Sequence, residues 1–217
     1  FEVEKVVNHV DAKGGFVSYK RNEDGSESPY ELNINYLDAI SSSNEGALSK
    51  ELLSKKFLTS HAIMLSLRGI PGIYFHSLFG SKNWRDGVKK TSRYRTINRE
   101  RLSVNDLVED LSAPDSIRSL IFDGFTKLLK ARRENSAFHP FGEQRILDIH
   151  TSIFALIRFS PSDDVKILCL HNIRHLPIIL EINLENIEIE SNSSFTNLLT
   201  SETITPRNGI LKLDFKP

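Results

Sequence analysis

Leu67-Arg68-Gly69-Ile70-Pro71-Gly72-Ile73-Tyr74-Phe75 is the stretch on which the fold turns. Ahead of it, Leu52, Leu53, Phe57, His61, Met64, Leu65 and Leu67 recur at three- and four-residue spacing, which predicts a helix over 50–67. Ser49 is suited to cap its start, Gly69 to end it, and Pro71 forbids continuation. Residues 70–75 are then a short apolar run bounded by Gly and Pro, the pattern of a strand buried on both faces. An apolar helix feeding a short buried strand is half of a repeated α/β unit.

Working outward, residues 114–134 predict a second helix. Pro114 stands at its start, Ile117, Leu120, Ile121, Phe125, Leu128 and Leu129 line one face, and Lys127, Lys130, Arg132 and Arg133 gather where the dipole favours cations. Between the two helices, 76–113 reads as a long connection holding one short helix, about 104–111. Residues 1–33 read as irregular, with turn signals at Gly14-Gly15 and Asn22-Glu23-Asp24-Gly25-Ser26. Only Phe16-Val17-Ser18-Tyr19-Lys20 alternates there like a strand. After Pro140 the character changes to short alternating runs at 144–149, 152–159, 165–171, 176–183, 187–190 and 210–215. Turn signals such as Arg207-Asn208-Gly209 separate them, as in a small antiparallel sheet domain. The fold class expected is therefore α/β plus all-β, with a boundary near 136–143 dividing 1–137 from 138–217.

The 217 residues carry 28 Lys+Arg against 28 Asp+Glu, which argues against a uniformly basic nucleic-acid coater or an acidic tail. A content of 39% hydrophobic residues suffices to fill a core. The single cysteine, Cys169, excludes an intrachain disulfide and a Cys-based zinc site, and it fits a reducing, cytoplasmic setting. No basic-plus-apolar signal segment opens the chain, and no uncharged apolar stretch reaches about 18 residues. Because Phe1 stands where Met would open a gene product, the chain is expected to start mid-protein.

The zero net charge hides an asymmetry. Within 82–101, Lys82, Arg85, Lys89, Lys90, Arg93, Arg95, Arg99 and Arg101 face only Asp86 and Glu100, with Trp84 and Tyr94 interleaved. Three readings fit. Arginine forks suit phosphate, carboxylate or vicinal sugar hydroxyls, and the aromatics suit a sugar ring. The run is equally that of a solvated loop. A nucleic-acid surface is the third reading, opposed by the neutral remainder of the domain. The seven histidines show no metal-ligand spacing, and no phosphate loop or nucleophile elbow is present, so no metal is expected. His61 lies among apolar helix positions as a core histidine, whereas His76 follows the expected strand where barrel enzymes collect their active sites.

Residues 67–75 resemble the eighth barrel strand of the α-amylase superfamily, glycoside hydrolase family 13. The continuation Phe79-Gly80-Ser81-Lys82-Asn83-Trp84, then Tyr94-Arg95-Thr96-Ile97-Asn98-Arg99, is similar to the subfamily of sucrose and glucosylglycerate phosphorylases. Pro29-Tyr30-Glu31-Leu32-Asn33-Ile34-Asn35-Tyr36 agrees with it, and Glu31 with the lysine-rich 82–90 segment looks more like the glucosylglycerate branch. The likeness covers about 13–137. Over 138–217 it is architectural only.

The resemblance implies the C-terminal part of a (β/α)8 barrel followed by an antiparallel β domain. Residues 1–49 would be the loop after strand seven, 50–67 helix seven, 70–75 strand eight, 76–113 the loop after it, and 114–134 helix eight. It implies substrate-binding roles for Arg95 at the glucosyl unit, for Tyr30 and Glu31 at the acceptor or phosphate site, and for Lys20 as a phosphate or glycerate contact. Packing and an exposed turn are the structural alternatives for those loop residues. Asn98 and Arg99 would brace the loop, and Trp84 would be an acceptor wall or an anchor of its own loop. Asp38 follows no Gly-x-Arg-x-Asp pattern and reads as a surface residue of a short helix. The nucleophile, the general acid and a third Asp are expected upstream of Phe1, so no catalytic residue is assigned within the chain.

The parent would be a retaining α-glucoside phosphorylase, needing no cofactor beyond phosphate as co-substrate. Its partners would be a small α-glucoside and phosphate, with neither nucleic acid nor membrane. A hydrolase or transglucosidase of the same family, or a non-catalytic sugar- or partner-binding remnant, are the alternatives. An isolated strand eight has no neighbours to close a sheet, so 1–137 is not expected to fold autonomously.

Overall fold

The computed structural model describes residues 2–43, 46–174 and 176–216. They fall into two compact units. One holds Phe1–Phe57 with Ile73–Asp123, the other Leu58–Gly72 with Gly124–Pro217. Two of the cuts lie inside continuous helices, Lys50–Ser66 and Ile117–Arg133.

Both long helices form where periodicity places them. Ser49 Oγ accepts the Leu52 N–H at 3.2 Å, and Gly69 takes a φ of +113° just beyond the last turn. The expected strand that follows is not one. Residues 70–74 form no strand, Ile70 is 86% exposed, and Phe75 instead begins a short helix, Phe75–Leu78. A buried parallel strand takes its stability from ladders on both sides, and no described segment supplies one.

In the first unit, the N-terminal segment is more ordered than its turn-rich sequence suggests. A helix, Glu2–Ala12, packs Val7 and Val10 on Val17 and Ile34. Strands Phe16–Arg21 and Glu27–Asn33 then pair as an antiparallel hairpin. The connection over 76–113 holds not one helix but three, Phe75–Leu78, Arg85–Thr91 and Val104–Ser112, with a 3₁₀ turn at Tyr94–Asn98. Ser103 caps the helix Val104–Ser112, its side chain accepting the Asp106 N–H.

The second unit is built on a three-stranded sheet, Gln144–Leu147, Ile153–Phe159 and Lys166–Asn172, with the middle strand central. Strands Ile178–Asn183 and Ile210–Phe215 pair antiparallel through six residues. Asn208 and Gly209, at φ values of +51° and +75°, make the tight turn between Arg207 and Ile210 that leads into the second of these strands. Alternation makes the core: Ile153, Ala155 and Ile157 share one face and meet Leu180, Ile182 and Leu211. The run expected as a strand at 187–190 is instead preceded by a 3₁₀ turn, Glu185–Ile187, and a minor pair forms at Phe195–Thr196 and Thr203–Ile204.

The opposite face of the central strand carries Arg158, which is fully buried. Its guanidinium donates to the carbonyls of Glu143 at 3.2 Å, Ser66 at 2.9 Å and His139 at 2.9 Å. Arg132 donates in the same way to the carbonyls of Leu65, Leu67 and Gly69, the last at 2.7 Å. Two cations thus close the C-terminal end of helix Lys50–Ser66, where four carbonyls lose their intrahelical partners and the dipole is negative. Burial lowers the pKa of both guanidiniums. It also drives the Cys169 thiol up to about 12, which leaves it protonated and unreactive. Gly124 lets the two long helices meet, since a Cβ there would lie 2.1 Å from Leu58 Cδ1. His61 is the core residue expected, edge-on to Phe125 at 4.9 Å.

Replacing Arg158 with Met keeps the apolar stem and removes every donor. We expect a loss of about 3 kcal/mol and a Tm roughly 10 °C lower by calorimetry; an unchanged Tm would mean that the three carbonyls do not depend on the fork. A second expectation concerns His171, whose Nε2 lies 3.2 Å from Ser66 Oγ. Burial holds its pKa down at about 4 against an ordinary 6.5. Above pH 6.5 both folded and unfolded chains keep this imidazole neutral. As pH falls from 6.5 toward 4 the unfolded chain takes up a proton that the folded chain refuses, so stability drops across that window. The urea midpoint of His171→Gln should fall less steeply there than that of the parent chain.

Candidate functional site

In the first unit, a cleft of about 500 Å³ opens between the hairpin and the turn at Tyr94–Asn98. Its walls are Ser18, Tyr30 and Glu31 on the hairpin, and Ser92, Arg93, Tyr94, Arg95, Thr96 and Arg99 on the other side. The hairpin register explains why Tyr30 and Glu31 both reach it. Ser18 pairs with Glu31, but Tyr19 pairs with Pro29, so Tyr30 is the extra residue of a β-bulge. A bulge bends its strand and redirects a side chain, and Tyr30 is 62% exposed.

Across the cleft, Arg95 donates from Nε to Glu31 Oε2 at 2.8 Å. The hydrogen bond and then the charge of Glu31 raise the Arg95 pKa further, with Tyr30 adding a smaller effect. Tyr94 stacks on Phe16 of the first hairpin strand, with ring centroids 4.6 Å apart and planes 2° from parallel. Three arginines against one carboxylate leave the cleft positive.

Polar contacts at several depths hold this arrangement up. Asn35, 5% exposed, donates from Nδ2 to the carbonyls of Lys82 at 2.6 Å and Ile97 at 3.2 Å. Its own N–H donates to Asn83 Oδ1 at 2.7 Å, and Asp38 Oδ2 accepts the Asn83 N–H. Asp38 is thus a loop-fastening acceptor rather than the plain surface residue expected. Arg85 grips the Gly14 carbonyl with Nε at 3.1 Å and Nη2 at 2.9 Å. Gly14 has a φ of +73°, and a Cβ there would lie 2.0 Å from Arg85 Nη2, so the position needs glycine.

The structure therefore brings together Arg95, Tyr30 and Glu31. Lys20 stands apart: it is exposed on the hairpin opposite Ser28 and does not line the cleft. Arg99 lines it, and the Asn98 carbonyl accepts the Tyr74 hydroxyl at 2.8 Å. Trp84 anchors its own loop. A Cβ on Gly87 would lie 2.2 Å from the indole, which also borders a smaller hollow of about 290 Å³ with Lys82, Glu100, Asp110 and Arg118. His76 is 6% exposed and bonded through Nδ1 to Ser81 Oγ at 3.0 Å. Arg118 shares that hydroxyl at 3.1 Å and pairs with Asp110 at 2.9 Å. Burial, the dominant effect, lowers the His76 pKa, so the group reads as a satisfied core histidine. Asn35 and Phe16 escaped the sequence reading. Both stand in segments singled out by sequence, Pro29–Tyr36 and Phe16–Lys20, but nothing local marks their individual roles. Among the described residues no group of three or more His, Cys, Asp or Glu could hold a metal, and no helix is long and apolar enough to cross a membrane.

No protein-family model matches the chain. It is 48% identical over 174 residues to a glucosylglycerate phosphorylase of Spirochaeta thermophila, covering 80% of this chain and 29% of that protein. Its backbone matches sucrose 6F-phosphate phosphorylase from Thermoanaerobacter thermosaccharolyticum with a TM-score of 0.60 at 22% identity, over 99% of this chain and 36% of that one. An Anoxybacillus α-amylase matches with a TM-score of 0.58 at 14% identity, over 76% of this chain and 30% of that one. The fold is thus that of a C-terminal part of an α-amylase-type barrel with its β domain. In sequence the chain is similar to glucosylglycerate phosphorylases, and it spans less than a third of the Spirochaeta relative's length.

Trp84 is the only tryptophan, so its fluorescence reports on the loop. In Gly87→Ala the added methyl must displace the indole, and we expect a red-shifted emission with the far-UV circular dichroism unchanged. An emission spectrum like that of the parent chain would show that the ring does not rest on Gly87.

Proposed function

We propose that this chain supplies the sugar- and phosphate-facing wall of an α-glucoside phosphorylase, with glucosylglycerate or a sucrose-like α-glucoside as substrate. The observation that carries the reading is Arg95, held at the rim of an arginine-lined cleft by Glu31. The 48% identity to a glucosylglycerate phosphorylase supports it. Retaining chemistry at an α-glucoside needs two carboxyl groups about 5 Å apart. On this reading one of them attacks the anomeric carbon as the other protonates the departing oxygen. A phosphate oxygen then attacks the same carbon and releases the carboxylate, giving α-glucose 1-phosphate. Neither group is assigned to this chain. Its own residues orient and neutralise: the guanidinium bridges neighbouring hydroxyls or phosphate oxygens and cannot be lost by deprotonation. Inorganic phosphate is the co-substrate, with no resident cofactor, and the setting is cytoplasmic.

The test uses the full-length protein that carries this chain. Glucose 1-phosphate should appear from glucosylglycerate or sucrose only when phosphate is present. Arg95→Lys, which cannot form the fork, should lower kcat/KM by about 100-fold. Turnover with water alone would sink the phosphorylase reading and leave a hydrolase.

A further inference from the structure

We propose that Asn35 is a positioning residue for Arg95, an inference that rests on the reading of Arg95 as the ligand-facing cation. The direct link between Arg95 and Glu31 cannot by itself fix the guanidinium. Its two side chains are 53% and 32% exposed, and an ion pair so placed is screened and weak. The turn that carries Arg95 must therefore be fixed from behind, and Ile97 is where that happens. Its side chain is fully buried, and its carbonyl accepts two donors, the Trp84 N–H at 2.8 Å and Asn35 Nδ2 at 3.2 Å. Ile97 lies two residues past Arg95 in the same 3₁₀ turn.

Asn35 itself lies two residues past the end of the strand that holds Glu31. One buried amide thus ties the Arg95 side of the cleft to the Glu31 side, and its second bond, to the Lys82 carbonyl at 2.6 Å, fixes where the loop enters. A side chain that only filled space would need neither donor. The side-chain amide donors, more than its volume, set the height at which Arg95 meets the bulge.

The experiment follows the arginine Nε–H resonances of the 217-residue chain by NMR. In Asn35→Asp the shape is kept and both amide donors are lost; in Asn35→Ala the whole group is lost. Arg95 Nε–H should exchange with water about tenfold faster in both variants, the effect of losing the bond to the Ile97 carbonyl, the one of the two lost bonds that holds the Arg95 turn. Arg85 Nε–H, bonded to Gly14 at the other end of the loop, should be unchanged. Unaltered Arg95 exchange in Asn35→Asp would overturn the proposal. So would equal acceleration at Arg85, or unfolding of both variants, because Asn35 would then be a general folding residue. The readout needs no ligand. Accelerated exchange in a chain that shows no binding of inorganic phosphate or glucose 1-phosphate would uphold the positioning role and count against the ligand reading alone.

Discussion

Irregular backbone leaves carbonyls without partners, and a buried carbonyl without a donor is expensive. That constraint organises this chain. Each unit answers it with side chains that carry several donors rather than with more regular structure. In the second unit Arg158 and Arg132 collect carbonyls from the end of one helix and from the loops beyond it. In the first, Asn35, Arg85 and Arg118 do the same for the loop segments around residues 14, 79, 82 and 97. A fork with several N–H groups satisfies carbonyls from different segments at once, so it also fixes the segments' spacing.

Regular elements were legible in the sequence because their information is local. Helix Lys50–Ser66 follows from spacing, cap and stop, and strand Ile153–Phe159 from alternation. Its Arg158 was invisible for the opposite reason. An arginine in an apolar strand reads as the solvent face until one knows that carbonyls from residues 66, 139 and 143 converge on it. Residues 70–75 failed in another way. Their composition is that of a buried strand, but strand formation depends on neighbours, and among the described residues no strand pairs with them, which leaves Ile70 open to solvent.

The candidate site shows the same division. Arginine chemistry and the resemblance pointed to Arg95, Tyr30 and Glu31, and all three meet at one cleft. Lys20, implied by the resemblance as a phosphate or glycerate contact, does not join them. The register places it opposite Ser28, farther along the hairpin than the pair Ser18 and Glu31. The bulge at Tyr30 decides which side chains turn inward, and the one residue that marks it is Pro29 beside it, a proline within the strand.

Electrostatics gives the cleft its last constraint. A carboxylate beside Arg93, Arg95 and Arg99 diminishes the positive field that would draw an anion, so Glu31 must contribute something that compensates. Its contact takes Arg95 Nε, the atom at the root of the fork, and not the two terminal nitrogens. An arginine held by its Nε still presents terminal donors outward, with rotation about the last torsions already restricted. Glu31 thus exchanges field strength for part of that orientation, and Arg93 and Arg99, which line the same cleft, retain the positive balance. That combination suits recognition in which direction matters as much as charge, as it does for sugar hydroxyls and phosphate oxygens placed side by side.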